Sequence, residues 1–122
     1  MQKKKNMETT KKSYFIVREA NKHHRFLCEN ISHITIQSYL CTIHRIVGDN
    51  AICTKSLSYF ENLLLPSYFF RISRNAIVNI KQIEYVECKK RKRIVVLKKG
   101  DKLPVSNLRW KDFKTLYYGQ HT

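Results

Sequence analysis

A chain of 122 residues has room for one domain and excludes two packed ones, while 43% apolar and 11% aromatic residues exclude wholesale disorder. Twenty-four Lys and Arg against nine Asp and Glu give a net charge of +15. Catalysis on small neutral substrates does not need that balance, and contact with a polyanion does.

Residues 1–12 carry five Lys and one Glu, with no apolar run, and read as a basic tail instead of a signal peptide. No stretch approaches the roughly 18 apolar residues of a membrane span, so a cytoplasmic protein is expected. A folded domain is expected over residues 13–118, with 119–122 a short C-terminal tail. Cys28, Cys41, Cys53 and Cys88 occur singly, which argues for reduced thiols acting as small hydrophobes in strands. Neither they nor His23, His24, His33, His44 and His121 show paired ligand spacing, so no metal and no cofactor are expected.

Period two dominates the first half. Tyr14, Ile16 and Arg18 alternate with Phe15 and Val17, and a turn at Asn21 and Lys22 leads into a second strand, Arg25 to Cys28. A third runs from Ile31 to Ile36. Tyr39 to Val47 is rich in strand formers, and Gly48-Asp49-Asn50 folds it back onto Ala51 to Thr54 as a hairpin. Ser56 then caps a helix of about ten residues in which Leu57, Phe60, Leu63 and Leu64 share a face, with Pro66 as the stop.

Beyond it, short strands are expected at Phe69 to Ile72, Ala76 to Asn79, Ile83 to Cys88, Ile94 to Leu97 and Leu103 to Val105. Lys89-Lys90-Arg91-Lys92-Arg93 is too charged to bury and belongs on a hairpin end, and Lys99-Gly100-Asp101 supplies the next turn. Leu108, Phe113, Leu116 and Tyr117 give a C-terminal helix between Asn107 and Tyr118. The charge is lopsided. Residues 13–70 carry five cations and four acids, whereas residues 71–114 carry fourteen cations and four acids. Such concentration favours a functional face over an even solvating coat.

Phe69-Phe70-Arg71-Ile72-Ser73-Arg74-Asn75-Ala76-Ile77-Val78-Asn79 resembles the F-F-R-V-H-R-S-Y-I-V-N signature of LytTR DNA-binding domains, the output modules of many bacterial response regulators. The flanks are similar in the same order. Ile31 to Ile36 resembles the family's D-I-x-Y-I-E strand, Leu65-Pro66 ends a helix as its L-P does, and Ile83-Glu84, Ile94 to Gly100 and Leu103-Pro104-Val105-Ser106 resemble its I-E, V-x-L-x-x-G and L-P-V-S elements. The resemblance covers about residues 14–117. It implies a mainly β, elongated arrangement of small antiparallel sheets with one short mid-chain helix and a C-terminal helical segment, whose loops enter successive major grooves. Ser73 stands where the family usually has His, Asn75 where it has Ser, Ala76 where it has an aromatic, and Leu108 at a position that is often basic.

The resemblance and the chemistry together nominate site residues. Arg74, on a turn between two strands, has the planar fork that bonds guanine O6 and N7, and Asn75 has the amide that pairs with adenine. The bland alternative for Arg74 is a surface ion pair with Glu84 or Glu87. Arg109 is a third base candidate, set to compensate for Leu108, with a solvated helix residue as its alternative. Lys89, Lys90, Arg91, Lys92 and Arg93 suit phosphates, and Ser73, Asn107 and Lys111 flank the same loops. Ser38 and Tyr39 align with another DNA-facing family loop, with a core role as the alternative for Tyr39.

The expected partner is double-stranded DNA, and the resemblance implies paired direct repeats bound by two copies of a protein expected to be monomeric in solution. No catalytic constellation is visible, and a non-enzyme is expected. About thirteen residues precede the first strand, so control by an attached receiver domain is not expected, leaving abundance, a regulatory protein partner or a ligand. Two other readings compete: an RNA or single-strand-binding β module, and a LytTR-like interaction protein that has lost specific DNA binding.

Overall fold

A computed structural model describes residues 13–64 and 68–119. The basic tail, the helix stop at Pro66 and residues 120–122 of the C-terminal tail lie outside them. In chain order come β1 (Tyr14–Glu19), β2 (Lys22–Leu27), β3 (Ile31–Gln37), β4 (Leu40–Arg45), β5 (Ala51–Cys53), α1 (Leu57–Leu63), β6 (Phe69–Ser73), β7 (Ala76–Asn79), β8 (Ile83–Lys89), β9 (Lys92–Leu97), β10 (Lys102–Pro104) and α2 (Asn107–Tyr118). The strands form three antiparallel sheets, a β1-β2 hairpin, a five-stranded sheet ordered β5-β4-β3-β7-β6, and a three-stranded sheet ordered β10-β9-β8.

The turns follow the expected chemistry. Gly48 and Gly100 take positive φ of 107° and 103°, a region that side-chain-bearing residues rarely enter. Ser38 and Lys90 enter the left-handed region without being glycine, at φ of 59° and 53°, and close the β3–β4 and β8–β9 hairpins. Ser56 caps α1, its hydroxyl accepting from the Tyr59 amide at 3.1 Å, but the helix is seven residues long instead of about ten. Leu64 already has extended backbone, so the helix stops before the expected proline.

The five-stranded sheet is the divide between two cores. Period two sends Ile34, Ile43, Cys41 and Ile77 to one side, where they pack with Phe15, Val17 and Phe26 of the β1-β2 hairpin and Leu57 and Phe60 of α1. Ile72, Ala76 and Val78 meet Ile83, Val95 and Leu97 of the third sheet, with Val105 and Phe113, on the other. All four residues of β7 are buried because both of its faces are covered. Three of the four cysteines are buried as small hydrophobes. Cys88 departs from that reading: it lies exposed on β8, toward the end of the β8–β9 hairpin where packing stops.

Candidate nucleic-acid interface

Pairing of β3 with β7, Thr35 opposite Ala76 and Ile34 opposite Ile77, lays the turn at Ser38-Tyr39 beside the turn at Arg74-Asn75. The Ile36 amide donates to the Asn75 carbonyl at 3.0 Å and fixes that neighbourhood. On the far side of the same turn, the Ser106 amide donates to the Ile72 carbonyl at 2.9 Å, which anchors the start of α2 against β6. The Val105 amide donates to the Arg93 carbonyl at 2.9 Å, and the Arg93 guanidinium lies 4.9 Å from the centre of the Trp110 ring. The basic hairpin end is thereby drawn to α2. Four segments far apart in sequence, 38–39, 73–75, 89–93 and 106–111, thus form one row.

The middle of the row is braced from behind by Arg71, a residue that spacing alone does not single out. Its Nε donates to the Ser73 carbonyl at 3.1 Å and its Nη2 to the Arg74 carbonyl at 3.0 Å, while Nη1 meets Glu61 Oε1 of α1 at 3.1 Å. Ser73 Oγ accepts from the Asn75 amide at 3.1 Å. The turn backbone is therefore held by side chains on both sides, and the Arg74 and Asn75 side chains are exposed. Arg74 forms no ion pair with Glu84 or Glu87 among the described residues.

The other nominated residues take different stations. Tyr39 is 78% exposed, so it is not core. Lys89, Lys90, Arg91 and Lys92 are exposed on the hairpin end, and Arg93 is half-buried by its contact with Trp110. Asn107 and Lys111 are exposed on α2. Arg109 is half-buried and lines a 260 Å³ cleft with Glu61, Leu64, Phe70 and Arg71, so it is not an ordinary solvated helix residue. The Ser106 hydroxyl accepts from the Arg109 amide at 3.2 Å and caps the helix that carries these residues.

The fold also brings together three residues that sequence spacing kept apart. His33 and His44 stack at 3.9 Å and 5°, and His33 Nε2 lies 3.3 Å from Asp101 Oδ2 in the β9–β10 turn. His33 Nδ1 lies 3.0 Å from Ser32 Oγ, and His44 Nε2 2.9 Å from Thr35 Oγ1. Burial, then the neighbouring His44, pushes the His33 imidazole down to about 4 despite the opposing pull of Asp101. The three side chains bring a ligand atom each to within 4.8 Å of one another, and as it stands the trio is a polar clasp between the central and third sheets.

The family pattern of the LytTr DNA-binding domain matches residues 21–117. The chain belongs to the LytTR family. The family is one of DNA-binding domains, and residues 21–117 form such a domain. Among solved structures, the chain is similar to the LytTr DNA-binding domain of a protein described as a methyl-accepting/DNA response regulator from Bacillus cereus. The two superpose with a TM-score of 0.74 at 20% identity, over 86% of this chain and 96% of the other. Nothing among curated protein sequences matches the chain. The mainly β LytTR fold and the three antiparallel sheets agree with the expectation from sequence. No helix among the described residues is long and apolar enough to cross a membrane.

Proposed function

We propose that this LytTR domain binds double-stranded DNA sequence-specifically and reads it through turns instead of a recognition helix. The observation that carries the reading is the braced turn at Ser73-Arg74-Asn75, with the Arg74 and Asn75 side chains exposed and the backbone fixed, in a row of segments that also holds the cations of 89–93 and 106–111. A guanidinium fork on an immobile backbone is aimed at guanine O6 and N7, and Asn75 beside it suits adenine N6 and N7. Ser73 supports the turn.

Three strand spacings of about 4.8 Å put β4 and β6 roughly 14 Å apart, more than the roughly 12 Å width of one major groove. Set across the groove, the row is long enough for its two ends to meet different stretches of duplex. Ser38 and Tyr39 stand at one end; Asn107, Arg109 and Lys111 stand at the other, with Arg109 reaching from its cleft beside the turn. Lys89 through Arg93 contribute phosphate contacts, which add affinity without sequence information. The LytTR resemblance implies two copies side by side on direct repeats.

Selection of bound duplexes from a random pool tests the reading. A recovered motif repeated in direct orientation, bound in preference to single strands and RNA of the same sequence, is the expected result. Equal binding to single strands or RNA, or recovery of no motif, would overturn it.

A further inference from the structure

One exposed side chain of the row can make no hydrogen bond to phosphate or base. Leu108 is 88% exposed, more than any other large apolar residue among those described. The covered face of α2 is formed by Trp110, Phe113 and Tyr117, and at about 100° per residue Leu108 lies close to half a turn away from it. Its neighbours one turn on are Lys111 and Asp112, both exposed, so no apolar partner on its own helix face covers it. It stands two residues past the Ser106–Ile72 bond that ties α2 to the base of the Ser73–Asn75 turn. Arg74, Arg93, Arg109 and Lys111 around this start of the helix offer only hydrogen-bond donors. Leu108 offers only apolar surface.

We infer that Leu108 is a specificity-determining residue that packs on the C5-methyl group of a thymine in the major groove. This rests on the proposed duplex binding. Across the major groove the base edges present donors, acceptors and a single kind of apolar group, the thymine methyl, so an apolar side chain delivered there has one complementary feature to meet. Carried on a helix whose start is tied to Ile72, Leu108 would extend the motif read at the turn by a thymine. A second copy of the chain covering Leu108 would instead leave base preference untouched.

The selected duplex decides the matter. Each thymine in turn is replaced by deoxyuridine, which removes only the methyl group, and affinities are measured for the native chain and for Leu108→Ala. At one thymine the native chain should lose about three- to fivefold in affinity, the worth of one buried methyl. Leu108→Ala should bind the thymine and deoxyuridine duplexes equally, at about the native affinity for the latter, with unchanged affinity for random duplex and an unchanged circular dichroism spectrum. If every thymine gives the same ratio in both proteins, or none gives a loss, the inference is overturned while duplex binding stands. If the native chain selects no sequence at all, both fall.

Discussion

Arg74 and Lys89 carry the same charge, yet the structure gives them different backbones. Lys89 sits on an exposed hairpin end, and Arg74 projects from a turn whose carbonyls are held by Arg71. A pre-aimed fork contributes to one sequence and a mobile ammonium to all of them. Arg74→Lys keeps the charge and removes the fork, so binding to the preferred duplex should weaken by roughly 1–3 kcal/mol while random duplex is little affected. Stability should move by no more than about 0.5 kcal/mol, since the side chain is exposed. Paired titrations with selected and random duplexes check this, and equal weakening of both would make Arg74 a phosphate clamp.

At the scale of the element, the β8–β9 hairpin acts as a unit. Its cations are adjacent in sequence and supported by two paired strands whose register runs from Ile83 opposite Leu97 to Lys89 opposite Lys92. If binding neutralises about six to eight phosphates, log K falls against log salt with a slope near −5 to −7. If these lysines meet phosphates only, replacing Lys89, Lys90 and Lys92 together by Ala should flatten that slope by about two to three and weaken every duplex alike. Affinity measured over a salt series reads the slope directly. An unchanged slope would remove these three lysines from the interface and leave Arg91 and Arg93, the latter held at Trp110, as the hairpin's candidate contacts.

For the whole molecule, the two cores are joined through the central sheet, and the His33–Asp101 contact is a polar link between that sheet and the third. His33 titrates at about 4 in the folded protein and near 6.5 when unfolded. As pH falls below 6.5 the unfolded chain takes up a proton that the native state refuses, so stability declines from pH 6.5 down to about 4 and levels off above 7. His44, also shifted down by burial, acts in the same direction. Between pH 7 and 4.5 the His33 contribution is on the order of 2 kcal/mol. Denaturant unfolding at several pH values should show this slope, and His33→Gln should flatten it; an equal slope in both proteins would assign the acid sensitivity elsewhere.

The sequence by itself determined the elements. Alternation placed the strands, Gly48 and Gly100 marked turns whose φ they alone reach cheaply, Ser56 and the row of charges from Lys89 to Arg93 marked a cap and a hairpin end, and the signature from Phe69 to Asn79 carried the family. These are local properties, set within a few residues by sterics, capping and periodicity. What only the tertiary structure decided is non-local. That β3 pairs with β7 follows from which apolar faces can be buried together, and this pairing makes neighbours of Ile36 and Asn75. Arg71 became the brace between the Ser73–Asn75 turn and α1, Arg109 a wall of a cleft, and His33, His44 and Asp101 a clasp, through contacts between residues 10 to 68 positions apart. Spacing encodes the face of an element on which a residue lies, and the partner opposite that face is chosen only when the whole apolar surface is buried at once.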